Sequence, residues 1–184
     1  MANVLKLIND LIGREGKYAN NPYDRGGETI WGITIATARR HNYTGAMKDM
    51  PREVAIGIYY SEYFIAPGFS KIVSMSSAIA EELFDTGVMS GPQLPIRFLQ
   101  RSLNVLNKTH KENPLFADLV ADGVCGPKTL DALAVILRER GSDGELVVMR
   151  MLNSLQGAYL VEITERREQN EEFIYGWFLH RVAI

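Results

Sequence analysis

The sequence has little of what several enzyme classes require. Cys125 is the one cysteine among 184 residues, so no disulfide can form within the chain. The three histidines, His41, His110 and His180, lie far apart and show neither the His–His nor the Cys–His spacing of zinc ligands. Phosphate-binding and dinucleotide-binding glycine motifs are also missing from the sequence. We therefore expect neither a metal ion nor a cofactor.

An excess of charge of one sign is missing as well. Twenty basic residues stand against 22 acidic ones, whereas proteins that bind phosphate backbones normally carry a basic excess. We therefore expect no nucleic-acid partner. The first 18 residues contain no apolar run long enough for a signal peptide or a membrane span. We accordingly expect no membrane anchor and accumulation in the cytoplasm.

Apolar residues recur at helical spacing over most of the chain, which predicts a mainly α-helical protein. Residues 17–34 are different, because they contain an Asn-Asn-Pro turn, two consecutive glycines and few helix formers. They predict a small β-hairpin or irregular insertion near the N-terminus. We expect helices over residues 4–12, 35–40, 51–64 and 76–88, from Pro95 and Pro127 onward, and from Gly144 towards Phe173.

Glu15 is the most informative residue of the first segment. It falls near the middle of the apolar stripe that Ile8 and Ile12 belong to, provided that the helix extends past Gly13. Burial raises the pKa of a carboxyl group and keeps its proton available near neutral pH. A glycosidase needs such a general acid. The alternative is that the helix has ended and Glu15 points to water.

Two further carboxylates lie in the loop that follows. Asp24 is nine residues after Glu15, and a hydroxyl group follows at Thr29. An ionised carboxylate in a polar setting orients water or stabilises positive charge, and a hydroxyl group helps to hold that water. On spacing alone, an ordinary turn residue before Arg25 is the stronger interpretation of Asp24. Glu28 is an alternative second carboxylate, or a partner for Arg25.

Flat apolar side chains surround these positions. Tyr18, Tyr23 and Trp31 belong to residue types that stack on sugar rings, although aromatic residues more often serve as core. With Asn20 and Glu28, Tyr18 and Trp31 are the candidate substrate-binding residues.

The run EGKYANNPYDRGGETIWGIT, from Glu15 to Thr34, resembles the signature of glycoside hydrolase family 108. The resemblance implies a lysozyme-like helical fold, with Glu15 as the catalytic glutamate. It also implies cleavage of the β-1,4 bond between N-acetylmuramic acid and N-acetylglucosamine. The sequence departs from the family pattern at Lys17 and Asn21.

The order Glu15, Asp24, Thr29 is also similar to the catalytic residues of phage T4-type lysozymes, with one residue fewer between Asp24 and Thr29. Thr34 is a possible substitute for Thr29. Those lysozymes invert the anomeric configuration, so the similarity implies an inverting enzyme in which Asp24 positions the water.

The second half of the chain resembles the predicted peptidoglycan-binding region of the same family. The segments FDTGVMSGPQLPIRFLQRSLN and ADGVCGPKTLDAL carry this resemblance, and FIYGWFLHRV matches the family's ending. Asp122 to Thr129 are also explained as scaffold, with a turn followed by a helix start. We expect a catalytic part over residues 1–84 and a binding part over residues 85–184, packed into one continuous fold.

Together these features predict a muramidase of the phage-endolysin type that acts on bacterial peptidoglycan. We expect a monomer that accumulates in the host cytoplasm and needs a holin to reach the wall in the periplasm. The alternative is a non-catalytic wall-binding or secretion-accessory protein on the same fold. A third hypothesis is transglycosylation without water.

Overall fold

In the computed structural model, the described parts of the chain are residues 2–15, 18–20, 27–107 and 113–182. The chain divides into two compact units, Met1–Ala66 and Pro67–Ile184.

The first unit contains three helices and a short hairpin. Its elements are α1 (Ala2–Glu15), β1 (Thr29–Ile30), β2 (Ile33–Thr34), α2 (Ile35–Arg40), a 3₁₀ turn (Met47–Asp49), α3 (Arg52–Tyr60) and a π-helical turn (Ser61–Ile65). In α1, the side chains of Val4, Ile8 and Ile12 recur at four-residue spacing and are at most 1% exposed. Helices α1 and α3 pack together, and the Arg52 guanidinium donates a hydrogen bond to the Asn9 carbonyl at 3.2 Å.

Strands β1 and β2 are antiparallel, with Thr29 opposite Thr34 and Ile30 opposite Ile33. The two residues between them, Trp31 and Gly32, both have positive φ, 56° and 73°. This is the backbone pattern of the type I′ turn, whose twist matches that of the strands it joins. A tryptophan is unusual there, because a side chain crowds the left-handed region.

Two long-range hydrogen bonds hold Trp31 in this conformation. Its indole N–H donates to the Met50 carbonyl at 2.9 Å, and the Tyr59 hydroxyl donates to the Trp31 carbonyl at 3.2 Å. The hairpin is thereby fixed to the segments before and within α3.

The second unit is helical throughout its regular structure. Its elements are a 3₁₀ turn (Phe69–Lys71), α4 (Ser77–Ser90), α5 (Gln93–Leu106), α6 (Pro127–Glu165), a second 3₁₀ turn (Glu168–Asn170) and α7 (Glu171–Arg181). Helices α4, α5 and α6 pack against each other. The core of this unit includes Phe84, Leu99, Leu103, Leu133, Ile136, Leu152 and Leu160, each at most 2% exposed. Gly141 interrupts α6 with a kink, at φ of 56° and ψ of −140°.

The predicted helix start at Pro127 is confirmed, because Pro127 is the first residue of α6. The predicted helix from Gly144 to Phe173 is wrong at its end: α6 stops at Glu165 and a separate α7 begins at Glu171.

Helix α7 buries none of its residues fully. Its half-buried Trp177 stacks on Phe173, with ring centroids 6.0 Å apart and an interplanar angle of 25°. Within the described ranges, no helix combines the length and the apolar character needed to cross a bilayer.

Candidate active site

Glu15 is the last residue of α1, so the helix extends past Gly13. Glu15 follows Ile8 by seven residues and Ile12 by three, which places its backbone in register with the buried face of the helix. Its side chain lies outside the described part of the chain.

The segment that follows Glu15 pairs with the hairpin. Ala19 and Thr29 exchange backbone hydrogen bonds, at 2.8 Å from the Ala19 N–H and 2.9 Å from the Thr29 N–H. The exposed side chains of Tyr18 and Asn20 flank this pair. Because Ala19 is only four positions after Glu15 in the chain, the Cα atoms of Glu15 and Thr29 are within about 20 Å of each other.

Thr29 is the first residue of β1 and Glu28 precedes it, and both are half-buried. The Thr29 hydroxyl lies 3.4 Å from the Gly27 carbonyl, and the Glu28 carbonyl accepts from the Ile35 N–H at 2.8 Å. Asp24, the other candidate carboxylate, lies outside the described residues.

The Thr34 hydroxyl is engaged as the N-cap of α2. It accepts from the Thr37 N–H at 3.3 Å and lies 3.1 Å from the Thr37 hydroxyl. The Trp31 side chain is half-buried, and its indole N–H donates to the Met50 carbonyl. These bonds fix both side chains as parts of the hairpin framework.

Glu62 is a carboxylate that the sequence pattern did not indicate. It lies 2.7 Å from the Arg40 guanidinium and 2.9 Å from the His41 imidazole. Burial raises its pKa, but the hydrogen bonds and charges of Arg40 and His41 outweigh burial and leave the pKa below its usual value. Glu62 is thus held ionised, which is unsuitable for a general acid.

The second unit contains a buried polar cluster at which α4, α6 and α7 meet. Burial and the nearby Asp85 charge raise the pKa of Glu82 to about 7, against hydrogen bonds from Asn153 and Thr86 and the charge of Arg181. Asp85 and Arg181 form an ion pair at 2.8 Å. The partners are up to 96 residues apart in the chain, so sequence spacing does not predict this cluster.

A network of hydrogen bonds around one side chain holds the loop before α6. The side chain of Gln100, which is 2% exposed, donates towards Asp122, Val124 and Thr129 at 2.8 to 3.2 Å. Its carbonyl oxygen accepts from the Gly123 N–H at 3.0 Å. These contacts give Asp122 and Thr129 a structural role in holding the loop. Across the described part of the chain, His, Cys, Asp and Glu side chains do not gather in threes as a metal site requires.

Comparison with known families covers nearly the whole chain. Residues 8–91 match the Glycosyl hydrolase 108 family, and residues 94–182 match the Predicted Peptidoglycan domain. The chain is a glycosyl hydrolase 108 protein with a C-terminal peptidoglycan domain. The family resemblance in the sequence is thereby confirmed.

A solved structure shares the fold of this chain. The glycosyl hydrolase 108 protein is similar to SagA of Brucella abortus, with a TM-score of 0.57 and 21% identity over 94% of this chain and 96% of that chain. The predicted class, a mainly helical lysozyme-like fold with a small hairpin near the N-terminus, is confirmed. No curated protein matches the chain.

The two family matches identify a peptidoglycan hydrolase of the glycoside hydrolase class. The glycosyl hydrolase match includes α4 and ends at residue 91, whereas the first compact unit ends at Ala66. The predicted division into residues 1–84 and 85–184 stays a prediction.

Proposed function

We propose that this glycosyl hydrolase 108 protein is an N-acetylmuramidase with Glu15 as its general acid. The observation that carries the proposal is the position of Glu15, at the end of α1 and in register with the buried Ile8 and Ile12. A carboxyl group on an apolar helix face keeps its proton to higher pH than one in water.

The other described carboxylates of the first unit are less suited to this task. Asp49 and Glu53 are exposed to solvent, whereas a general acid of a glycosidase is favoured by apolar surroundings. Glu62 is held ionised by Arg40 and His41. Glu28 is half-buried at the hairpin and competes with Asp24 for the second catalytic position.

In the proposed reaction, Glu15 donates its proton to the oxygen that links N-acetylmuramic acid to N-acetylglucosamine. The breaking bond leaves positive charge on the muramic acid ring, and an ionised Asp24 stabilises that charge and orients the attacking water. Thr29 helps to hold this water. Attack from the face opposite the leaving group inverts the anomeric carbon.

Tyr18, Asn20, Glu28 and Trp31 are the proposed substrate contacts. Tyr18 is 43% exposed, and Asn20 is exposed as well. They flank Ala19, whose backbone is hydrogen-bonded to that of Thr29. A tyrosine ring offers an apolar face to a pyranose, while an asparagine amide donates to and accepts from hydroxyl groups. This pairing supports a sugar-binding edge next to β1.

The biological setting that we propose is that of a phage endolysin. The protein would accumulate as a monomer in the host cytoplasm, pass the inner membrane through a holin, and cut the wall in the periplasm. In this setting, peptidoglycan is its macromolecular partner.

The bond that is cleaved is tested by the ends of the products. We expect purified Gram-negative sacculi to yield fragments that end in N-acetylmuramic acid, which borohydride reduces and mass spectrometry detects as a gain of two hydrogens. Hydrolysis leaves such reducing ends because water adds to the anomeric carbon. Reducible N-acetylglucosamine ends, or anhydro-muramic ends that borohydride leaves unchanged, would each contradict muramidase hydrolysis.

The second carboxylate is tested by a pair of matched amides. We expect Asp24→Asn to slow lysis by about a hundredfold, since a base that orients water typically contributes factors of this size. Glu28→Gln should have a much smaller effect. Initial rates of sacculus solubilisation compare the two, with circular dichroism as the folding control. The reverse order of effects would transfer the role to Glu28.

A further inference from the structure

A groove in the second unit lies between the loop that precedes α6 and the first turn of that helix. Its volume is about 420 Å³, which is in the range of small-ligand sites. Both polar and apolar groups line it. The residues that form its walls are Gln100, Asp118–Val120, Asp122, Val124 and Gly126–Thr129.

The base of the groove is rigid. Gln100 bonds to three groups of the loop and to the Thr129 hydroxyl of α6, as described above. Gly123 has a φ of +81°, and a Cβ at this position would lie 2.9 Å from the Gln93 carbonyl. The loop is therefore held close against α5 in a conformation that glycine permits. A preformed site of this kind loses little entropy when a ligand binds.

The walls carry the two kinds of surface that an acetamido sugar requires. Val120 and Val124 are 76% and 60% exposed, although valine is usually buried. The carboxylates of Asp118 and Asp122 and the ammonium group of Lys128 lie beside them on the same groove. Hydrogen bonds from the Gln100 side chain and the Val124 N–H lower the pKa of Asp122, so its carboxylate is ionised at neutral pH.

We propose that this groove is a second glycan-binding site, which holds N-acetylated sugars of peptidoglycan. The valine side chains contact the acetyl methyl groups, and the two carboxylates accept hydrogen bonds from sugar hydroxyls. Lys128 and the N–H groups of the first turn of α6 donate to acetamido carbonyls. The groove lies within residues 94–182, which match the Predicted Peptidoglycan domain.

The proposal rests on the proposed function in one respect, because both take the glycan strand as the ligand. A second contact on the same strand raises the time that the enzyme spends on an insoluble wall. It does not alter the chemistry at Glu15. Binding and cleavage are therefore separable in experiment.

The first test uses ¹⁵N-labelled full-length Glu15→Gln protein and two soluble probes. One probe is chitotetraose, an oligomer of N-acetylglucosamine without peptide, and the other is the free stem tripeptide. We expect chitotetraose to shift the amide signals of Gly123, Gly126 and Lys128 in a saturable manner, and the tripeptide to leave them in place. Shifts with the tripeptide alone, or with neither probe, would overturn the proposal.

The second test compares binding to purified sacculi. In the Glu15→Gln background, we expect Val120→Ser, Val124→Ser and Lys128→Gln together to weaken sedimentation with sacculi about tenfold, which corresponds to the loss of one or two modest contacts. The matched control is Val105→Ser, which removes a 69% exposed valine from α5 outside the groove. Equal binding by the two variants would overturn the proposal. A failure of the muramidase proposal would be detected in the chemical ends of the products. Sedimentation with sacculi measures binding alone, so the two proposals can fail separately.

Discussion

We expect Glu15→Gln to lower the rate of wall lysis by about a thousandfold, because a general acid typically contributes between a hundredfold and ten-thousandfold. Glutamine has nearly the same shape as glutamic acid but no proton to donate to the leaving oxygen. Turbidity loss of chloroform-treated Gram-negative cells measures the rate. Circular dichroism of both proteins shows whether the fold is kept.

Glu53→Gln is the matched control for this experiment. Glu53 is an exposed glutamate of α3 in the same unit, so its amide should lyse cells at the wild-type rate. A Glu15→Gln protein that lyses cells as fast as the wild type would refute the proposed mechanism. If even the wild type fails to lyse cells but still sediments with peptidoglycan, the chain is a wall-binding or secretion-accessory protein.

The second large effect concerns stability and Glu82. We expect the free energy of unfolding to fall by up to about 3 kcal/mol between pH 5 and pH 8 through this group. Burial and the nearby charge of Asp85 raise the pKa of Glu82 from its ordinary value of 4.5 to about 7 in the folded protein. Below pH 4.5 both states are protonated. As the pH rises through 7, the folded state is forced to carry a buried charge beside Asp85.

Urea unfolding at the two pH values measures this contribution. Glu82→Gln keeps the hydrogen-bonding shape of the neutral acid, so we expect its stability to lack this part of the pH dependence. Glu165→Gln, at an exposed position near the end of α6, should keep the full dependence. Identical pH profiles for wild type and Glu82→Gln would show that Glu82 is ionised in the folded protein.

Helix starts were predictable from sequence because their causes are local. Pro127 fits the first position of α6, since its missing N–H has no intrahelical partner there. The hexapeptide from Ile35 to Arg40 was predicted as a helix and forms α2. In each case, a few neighbouring residues are sufficient to specify the backbone.

The end of α6 shows what local patterns miss. The charged run from Glu162 to Glu172 contains neither proline nor glycine, so nothing in it predicts a break. The break after Glu165 is stabilised by a hydrogen bond from the Asn170 amide back to the Ile163 carbonyl at 2.9 Å. Such a contact exists only once the chain has turned.

The candidate site likewise contains residues that local patterns predict and residues that depend on distant parts of the chain. The position of Glu15 follows from helical periodicity, and the family resemblance indicated its role. Glu62 and Glu82 owe their properties to partners elsewhere in the chain, such as Arg40, 22 residues before Glu62. Sequence spacing carries no information on these pairs because folding creates them.

The two tryptophans are distributed so that each compact unit holds one, Trp31 in the first and Trp177 in the second. Trp31 has its indole N–H bonded to a backbone carbonyl, whereas Trp177 stacks on Phe173. Their fluorescence should therefore respond to different events. With Trp177→Phe and Trp31→Phe proteins, intrinsic emission becomes a separate optical reporter for the unfolding of each unit.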